Sequence, residues 1–279
     1  MDIWNGAIEK ISGIKGLYDF IRIVDPFEKR VICGDLEHQR EEVRCYEFWD
    51  KGEICSNCTA ARAIIEGDNA VKLEMSNGRL YFITSSPLNL KGKNYVVELI
   101  RDITHSKEFK TENCYLKVGS LTKRLNDSII MDKLTGIYNR SYIKERLPVD
   151  IYFNHINNIP ISLAACKVTN YEDIICKYGN AAGDLVLKET SKIITDNLKS
   201  EMNWSGTLRK GIFLIVLNTV TKELAEEICS KIRFQINNYG INYEDNLIQI
   251  TSDYKLIPIQ EEIVQKDIRA VFYIADKAY

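Results

Sequence analysis

The chain carries no charge surplus: 37 Lys and Arg face 39 Asp and Glu, leaving a formal charge of −2. Nucleic-acid partners are usually met by a basic excess or stripe, and neither is present, so no nucleic-acid partner is expected. Long apolar runs are missing too. The longest, 212–217 (IFLIVL), is far short of the ~20 residues a membrane helix needs, so no membrane partner is expected. Residues 1–16 mix lysines with acids and have no continuous apolar core, which does not read as a signal peptide. Repeats and low-complexity tracts are absent. These absences together predict a cytoplasmic globular protein.

What is present is enough for two domains. The 279 residues are 45% hydrophobic and 27% charged, an ordinary globular balance, and a domain takes roughly 100–200 residues. In a reducing compartment the eight cysteines are expected as free thiols or metal ligands, not disulfides.

Three patterns follow one another along the chain. Residues 17–104 read as short strands (19–24, 30–33, 70–75, 79–85, 95–103) with small helices at 46–49 and 59–66. Asn77-Gly78 marks a hairpin, and 89–93 (NLKGK) separates the last two strands. From 106 to about 132 a helix is expected. Its apolar stripe is Cys114, Val118, Leu121 and Leu125, interrupted by Gly119. The stripe fits a helix packed on its own domain or a two-stranded coiled coil joining two subunits. Beyond 132, helices at 141–147, 183–198, 221–237 and from 259 alternate with strands at 161–168 and 247–250 and a hairpin at 206–217, so helices packed on a sheet are predicted.

Three separated motifs carry a family resemblance. Asp132-Lys-Leu-Thr-Gly-Ile-Tyr-Asn-Arg140 resembles the DxLTGLxNR opening of GGDEF diguanylate cyclases. Tyr178-Gly-Asn-Ala-Ala-Gly-Asp184 resembles their YGHxxGD segment, and Ala275-Asp-Lys-Ala-Tyr279 their closing ADxAxY stretch, one residue short. The N-terminal half is similar to PAS sensor domains in strand order and in the ending Arg101-Asp-Ile-Thr104. Cys45-Tyr-Glu-Phe-Trp49 with Cys55-Ser-Asn-Cys58 resembles a cysteine-bearing PAS variant. The resemblances imply an α+β chain: a PAS domain of antiparallel sheet with small helices over 1–105, a helical linker over 106–131, and a GGDEF, nucleotidyl-cyclase-like α/β domain over 132–279. The coiled-coil reading of the stripe gives a homodimer through the linker helix, and the GGDEF resemblance implies a protein partner in cyclic-dinucleotide signalling.

The GGDEF resemblance implies carboxylates that hold magnesium and GTP, since hard Mg²⁺ takes oxygen ligands. Aligned on Gly179, the first metal aspartate falls on Lys167, the segment's second aspartate on Thr169, and the guanine-contacting pair on Ile175 and Cys176. Aligned on Phe213, the signature pentapeptide falls on Arg209-Lys210-Gly211-Ile212-Phe213, without acids. The upstream product-inhibition motif falls on Ser200 and Asn203 and is missing. A lysine ammonium about 4 Å from a divalent cation is repelled by about 8 kcal/mol at an effective dielectric of 20. No magnesium and no cyclase activity are therefore expected, leaving a dimerisation or docking body. The alternatives are a cyclase with residual or altered activity and a regulatory nucleotide site, in which Lys167, Arg209 and Lys210 would cradle phosphate.

Four cysteines, Cys33, Cys45, Cys55 and Cys58, lie within 26 residues of the first half. Two thiolates at CxxC spacing can face one ion, so zinc or an iron–sulfur cluster is one reading, with Cys33 or His38 closing the site. A redox-switching thiol pair and plain apolar packing are the others. Cys114, Cys166, Cys176 and Cys229 read as core or helix-face residues, and His105 and His155 as structural.

Overall fold

The computed structural model describes residues 16–34, 43–50, 54–55, 57–106, 112–259 and 269–279, with backbone only for 112–116. The chain divides into two compact units, Met1–Ile129 and Ile130–Tyr279.

In the first unit, β1 (Phe20–Asp25) and β2 (Arg30–Gly34) form a hairpin. A 3-10 turn (Glu47–Trp49) and α1 (Thr59–Glu66) follow, then β3 (Ala70–Ser76), β4 (Arg79–Leu90) and β5 (Lys93–Asp102). The five strands make one antiparallel sheet in the order β2-β1-β5-β4-β3. Asn77 and Gly78 both have positive φ, as a two-residue hairpin turn requires. Lys91 and Gly92 do the same. The expected separator 89–93 therefore shrinks to two residues, and Asn89 and Leu90 stay in the ladder opposite Asn94 and Lys93. Helix α1 buries Ala60, Ala61, Ala63 and Ile65, and Gly67 ends it in a left-handed conformation.

Helix α2 (Glu112–Ile130) falls within the expected linker span of 106–131, of which 107–111 lie outside the described residues. Gly119 does not interrupt a packing face but makes one: a Cβ there would come within 2.7 Å of Met75 Cγ. The face toward the sheet is small and polar, with Thr122 buried and Asn126 Nδ2 donating to the Leu73 carbonyl at 3.2 Å. The leucines point the other way: Leu121, Leu125 and Ile129 are 52%, 62% and 53% exposed. The side chain of Cys114, the first member of the predicted stripe, lies outside the described residues.

The second unit holds α3 (Arg140–Ile156), β6 (Ile161–Val168), α4 (Tyr171–Asn197), β7 (Trp204–Arg209), β8 (Ile212–Asn218), α5 (Lys222–Asn237), β9 (Gly240–Tyr243), β10 (Asn246–Gln249), β11 (Ser252–Ile257) and α6 (Ala270–Asp276). Four strands form an antiparallel sheet in the order β11-β6-β8-β7, and β9 and β10 form a separate hairpin. Every residue of β8 is buried. Its alternate side chains serve two cores. Phe213, Ile215 and Leu217 pack with α4 and α5, while Leu214 and Val216 pack with α3 and α6. Full burial of such a side chain stabilises by about 2 kcal/mol, so this one strand anchors both faces.

Three expectations need correction. The helix expected over 183–198 begins earlier, at Tyr171, because Tyr171 and Ile174 already bury a helical face; Gly179, at φ 84° and ψ 173°, breaks the run without ending it. Strands β9 and β11 escape a periodicity reading, one being four residues long and the other a polar edge strand (SDYKLI). The closing helix expected from 259 runs into 260–268, which lie outside the described residues; α6 is described from Ala270.

The first signature has structural work to do. Asp132 Oδ1 accepts the amides of Leu134 (3.2 Å) and Thr135 (2.8 Å), and Gly136 takes positive φ. Tyr138 then joins the edge of β7, and Asn139 Oδ1 caps α3 by accepting the Tyr142 amide at 2.9 Å. Beneath it, the guanidinium of Arg146 is set among the rings of Tyr138, Tyr142 and Trp204 and donates to buried Asp150 at 3.0 Å. Trp204 Nε1 donates to the same carboxylate oxygen at 2.9 Å.

Asp150→Ala leaves that guanidinium buried without its acid and is expected to cost the second unit about 3 kcal/mol. Asp253→Ala, which loses an exposed 3.5 Å pair with Arg233, is expected to cost under about 0.5 kcal/mol. Hydrogen exchange of the β6 and β8 amides reads this unit alone; equal losses in the two variants would contradict the assignment.

Candidate functional site

The hairpin between β7 and β8 turns on Lys210 and Gly211, the latter at φ 74°. Its tip is fastened to the end of β6: the Val168 amide donates to the Gly211 carbonyl at 2.8 Å, and the Tyr171 ring lies under Gly211. This register makes Lys167 the cross-strand partner of Ile212 on one side and of Asp253 on the other. The sheet thus pairs Lys167 with Ile212, next to Gly211 at the turn, the three positions to which the resemblance assigns acids. Ile212 is buried in the core with α3 and α6.

Magnesium fits these residues poorly. The hairpin turn carries no acid, an ammonium stands at the β6 position, and a buried isoleucine offers no oxygen. The neighbouring acid, Asp253, is exposed and pairs with Arg233 at 3.5 Å. Among the described residues, no three His, Cys, Asp or Glu side chains are grouped to hold a metal. At the guanine positions Ile175 packs against Gly183, where a Cβ would lie 2.7 Å from Ile175 Cγ1, and Cys176 is exposed.

The three basic residues predicted as a phosphate cradle have different surroundings. Arg209 donates through one nitrogen to the carbonyls of Asp276 (2.6 Å) and Tyr279 (2.5 Å). Lys167 Nζ lies 5.7 Å from the centre of the Tyr279 ring, and Lys255 Nζ, bonded to the Ala278 carbonyl, lies 4.5 Å from it. Lys210 is exposed at the turn. Burial raises the Tyr279 phenol well above its ordinary range, with Asp253 adding to the shift. Lys255 and Tyr279 were not foreseen as a unit with Lys167. The closing motif could have signalled Tyr279, but the register of β11 that sets Asp253 beside Lys167 is invisible in the sequence.

In the first unit, the cysteines divide. Cys45 and Cys58 pack on the cluster of Val24, Ala60 and Val96, and Cys55 on the adjoining aromatic cluster of Trp49 and Tyr81. Cys33 sits on β2 opposite Ile23. His38 lies outside the described residues. Around the three grouped thiols stand two buried ion pairs that the sequence reading missed: Arg22–Glu98 at 2.6 Å and Lys72–Glu74 at 2.7 Å. The signal was available, since Lys72 falls on an inward position of an alternating strand. Burial opposes the charge of Lys72, yet Cys55 and Glu74 hold its pKa above the usual value. A cavity of about 320 Å³ opens beside this group, lined by Trp49, Cys55, Asn57 and Glu74 among others.

The second unit's fold and its three motifs define a nucleotide-cyclase-like module, and comparison gives the family. Residues 129–278 match the model of "Diguanylate cyclase, GGDEF domain", and the chain belongs to the GGDEF diguanylate cyclase family. It is 29% identical over 228 residues to diguanylate cyclase A of Treponema denticola, covering 73% of this chain and 57% of that protein. It is 24% identical over 152 residues to diguanylate cyclase DgcP of Pseudomonas aeruginosa, covering 53% of this chain and 22% of that one. The chain thus spans just over half the length of the first relative and about a fifth of the second. In fold it is similar to the coiled coil and GGDEF domain of DgcB from Caulobacter crescentus, solved in complex with c-di-GMP. That match has a TM-score of 0.50 at 15% identity, covering 62% of this chain and 96% of the other. Among the described residues no helix is long and apolar enough to cross a membrane.

Arg209→Ala removes both carbonyl contacts. Amide exchange of residues 276–279 is expected to accelerate at least tenfold, with β6 and β8 unchanged. Unaltered exchange at 276–279 would show that Arg209 does not hold this segment.

Proposed function

We propose that this chain is a bacterial signal-transduction protein of the cyclic di-GMP system whose GGDEF unit is a non-catalytic dimerisation or docking body. The observation that carries the reading is the cross-strand pair Lys167–Ile212, a cation and a hydrocarbon at the hairpin where the family's chemistry needs acids. A site with neither metal ligand gains nothing from GTP's magnesium and is opposed by the ammonium. Ile175 offers no hydrogen bond to a purine edge, and each unpaired polar group of guanine would be disfavoured by about 1–3 kcal/mol.

Residues 1–105 are read as a PAS-type sensor and 106–131 as the helical linker to the output unit at 132–279. The exposed line of Leu121, Leu125 and Ile129 supports pairing of two such helices in a homodimer. Signalling then consists of a change in helix pairing that a protein partner reads from the output unit. The phosphate-cradle alternative loses weight because Arg209 already serves two carbonyls and Lys167 faces the Tyr279 ring.

Incubation of the full chain with GTP and Mg²⁺ or Mn²⁺, followed by chromatography, is expected to yield no cyclic dinucleotide. Product formed with turnover would overturn the reading and restore the cyclase. Calorimetry with GTP, guanosine tetraphosphate and cyclic di-GMP is expected to show no saturable heat at millimolar ligand, and a saturable isotherm abolished by Lys167→Ala would favour the regulatory cradle instead.

A further inference from the structure

Helix α2 rests on β3, the outermost strand of its sheet, through two attachments. Near its start Met75 lies against Gly119, and further on Asn126 Nδ2 reaches the Leu73 carbonyl at 3.2 Å. Between them the helix stands off, and the cavity of about 320 Å³ fills the gap as far as Trp49 and the loop residues Cys55 and Asn57. Leucines could close such a gap. The helix instead turns Leu121 and Leu125 outward and lines the cavity with Thr122.

The polar groups of the lining are set in place for a guest. Thr122 is only 6% exposed, and its hydroxyl has no hydrogen-bond partner among the described residues. A buried hydroxyl costs free energy until something in the cavity bonds it. Asn57, also buried, is fixed from two sides: Lys72 Nζ donates to its carbonyl at 2.8 Å, and Arg62 donates to its side-chain oxygen at 3.1 Å. Its amide nitrogen donates to Asn126 Oδ1 at 3.4 Å, a long bond that leaves this oxygen able to accept another. Trp49, Ile54 and Met75 supply the apolar wall.

Charge decides the class of ligand. Glu74 is paired with buried Lys72 at 2.7 Å, and Lys123 and Asp127 on the helix carry opposite signs. The lining therefore has no surplus charge to balance an ion, and an unpaired charge taken out of water is strongly disfavoured. Size points the same way, since ligand cavities run from about 300 to 1,000 Å³ and this one is near the lower limit. An aromatic and thioether wall favours a flat, polarisable ring.

We propose that this cavity binds one small uncharged heterocycle of the nucleobase kind, its polar edge bonded to the Thr122 hydroxyl and the Asn126 side-chain oxygen and its ring against Trp49 and Met75. The proposal rests on the sensor reading given above and names the class of molecule sensed. Thr122 and Asn126 belong to α2, so the guest would tie to the sheet the same helix whose outer leucines are read as the pairing face.

The test titrates the full chain with adenine, hypoxanthine, cytosine and uracil by calorimetry. At least one base is expected to give saturable one-to-one binding. Its nucleoside monophosphate is expected to bind at least tenfold more weakly, because the phosphate finds no surplus cation. Thr122→Val is expected to weaken the base at least fivefold, and Thr122→Phe, which fills the cavity, to abolish binding. Lys167→Ala, in the second unit, is expected to bind as wild type. Bound base is expected to slow amide exchange at 119–127 at least threefold, and circular dichroism confirms that each variant is folded. No saturable binding of any base, equal binding of the monophosphate, unchanged binding in Thr122→Val or Thr122→Phe, loss of binding in Lys167→Ala, or unaltered exchange at 119–127 would each overturn the proposal. Sedimentation with and without base reads the sensor role separately: binding without any change in self-association would count against that role and leave the site standing.

Discussion

The pairing of β6 with β8 is the constraint on which the second unit depends. Both strands are almost wholly buried, and successive cross-strand pairs face alternate cores, one under α4 and α5 and the other under α3 and α6. A one-residue slip would exchange every side chain between the two cores. The register is therefore fixed, and with it the placement of Lys167 beside Ile212. The chemistry of the hairpin is not free to drift: whatever residue occupies 167 stands at the end of a rigid sheet.

Polar burial is distributed to do different things in the two units. In the second, Asp150, Arg146 and Trp204 tie the first signature loop to β7 and to α3. In the first, Arg22, Glu98, Lys72 and Glu74 surround thiols beside a cavity. Tertiary packing explains the former network, which joins three elements across a loop. The latter group fixes the Asn57 backbone through Lys72 and holds the Arg22 guanidinium over the Phe48 and Trp49 rings.

Much of this was legible in the sequence. Strand β6 and helix α1 were read at their observed bounds because their apolar patterns end on turn residues: Asn158 at positive φ lies just before β6, and Gly67 closes α1. The family motifs were legible because their residues have local structural tasks, as Asp132 and Asn139 show. The kink at Gly179 was harder, since a helix that continues after a break has the same periodicity on both sides. The use of Arg209 was not legible at all. Its partners are backbone carbonyls of residues 276 and 279, whose approach depends on how α6 lies against the sheet. The surroundings of the cysteines were not legible either, because spacing along the chain does not say that Cys45 and Cys58 pack on one cluster and Cys55 on another.

The central claim is that the side chains at 167 and 212 decide whether magnesium-bound nucleotide is held. Equilibrium dialysis of Mn²⁺ at saturating GTP, comparing the native chain with Lys167→Asp/Ile212→Glu, tests it most directly. The account predicts no protein-bound manganese in the native chain and measurable retention in the double variant. Manganese retained by the native chain at the level of the variant would contradict it.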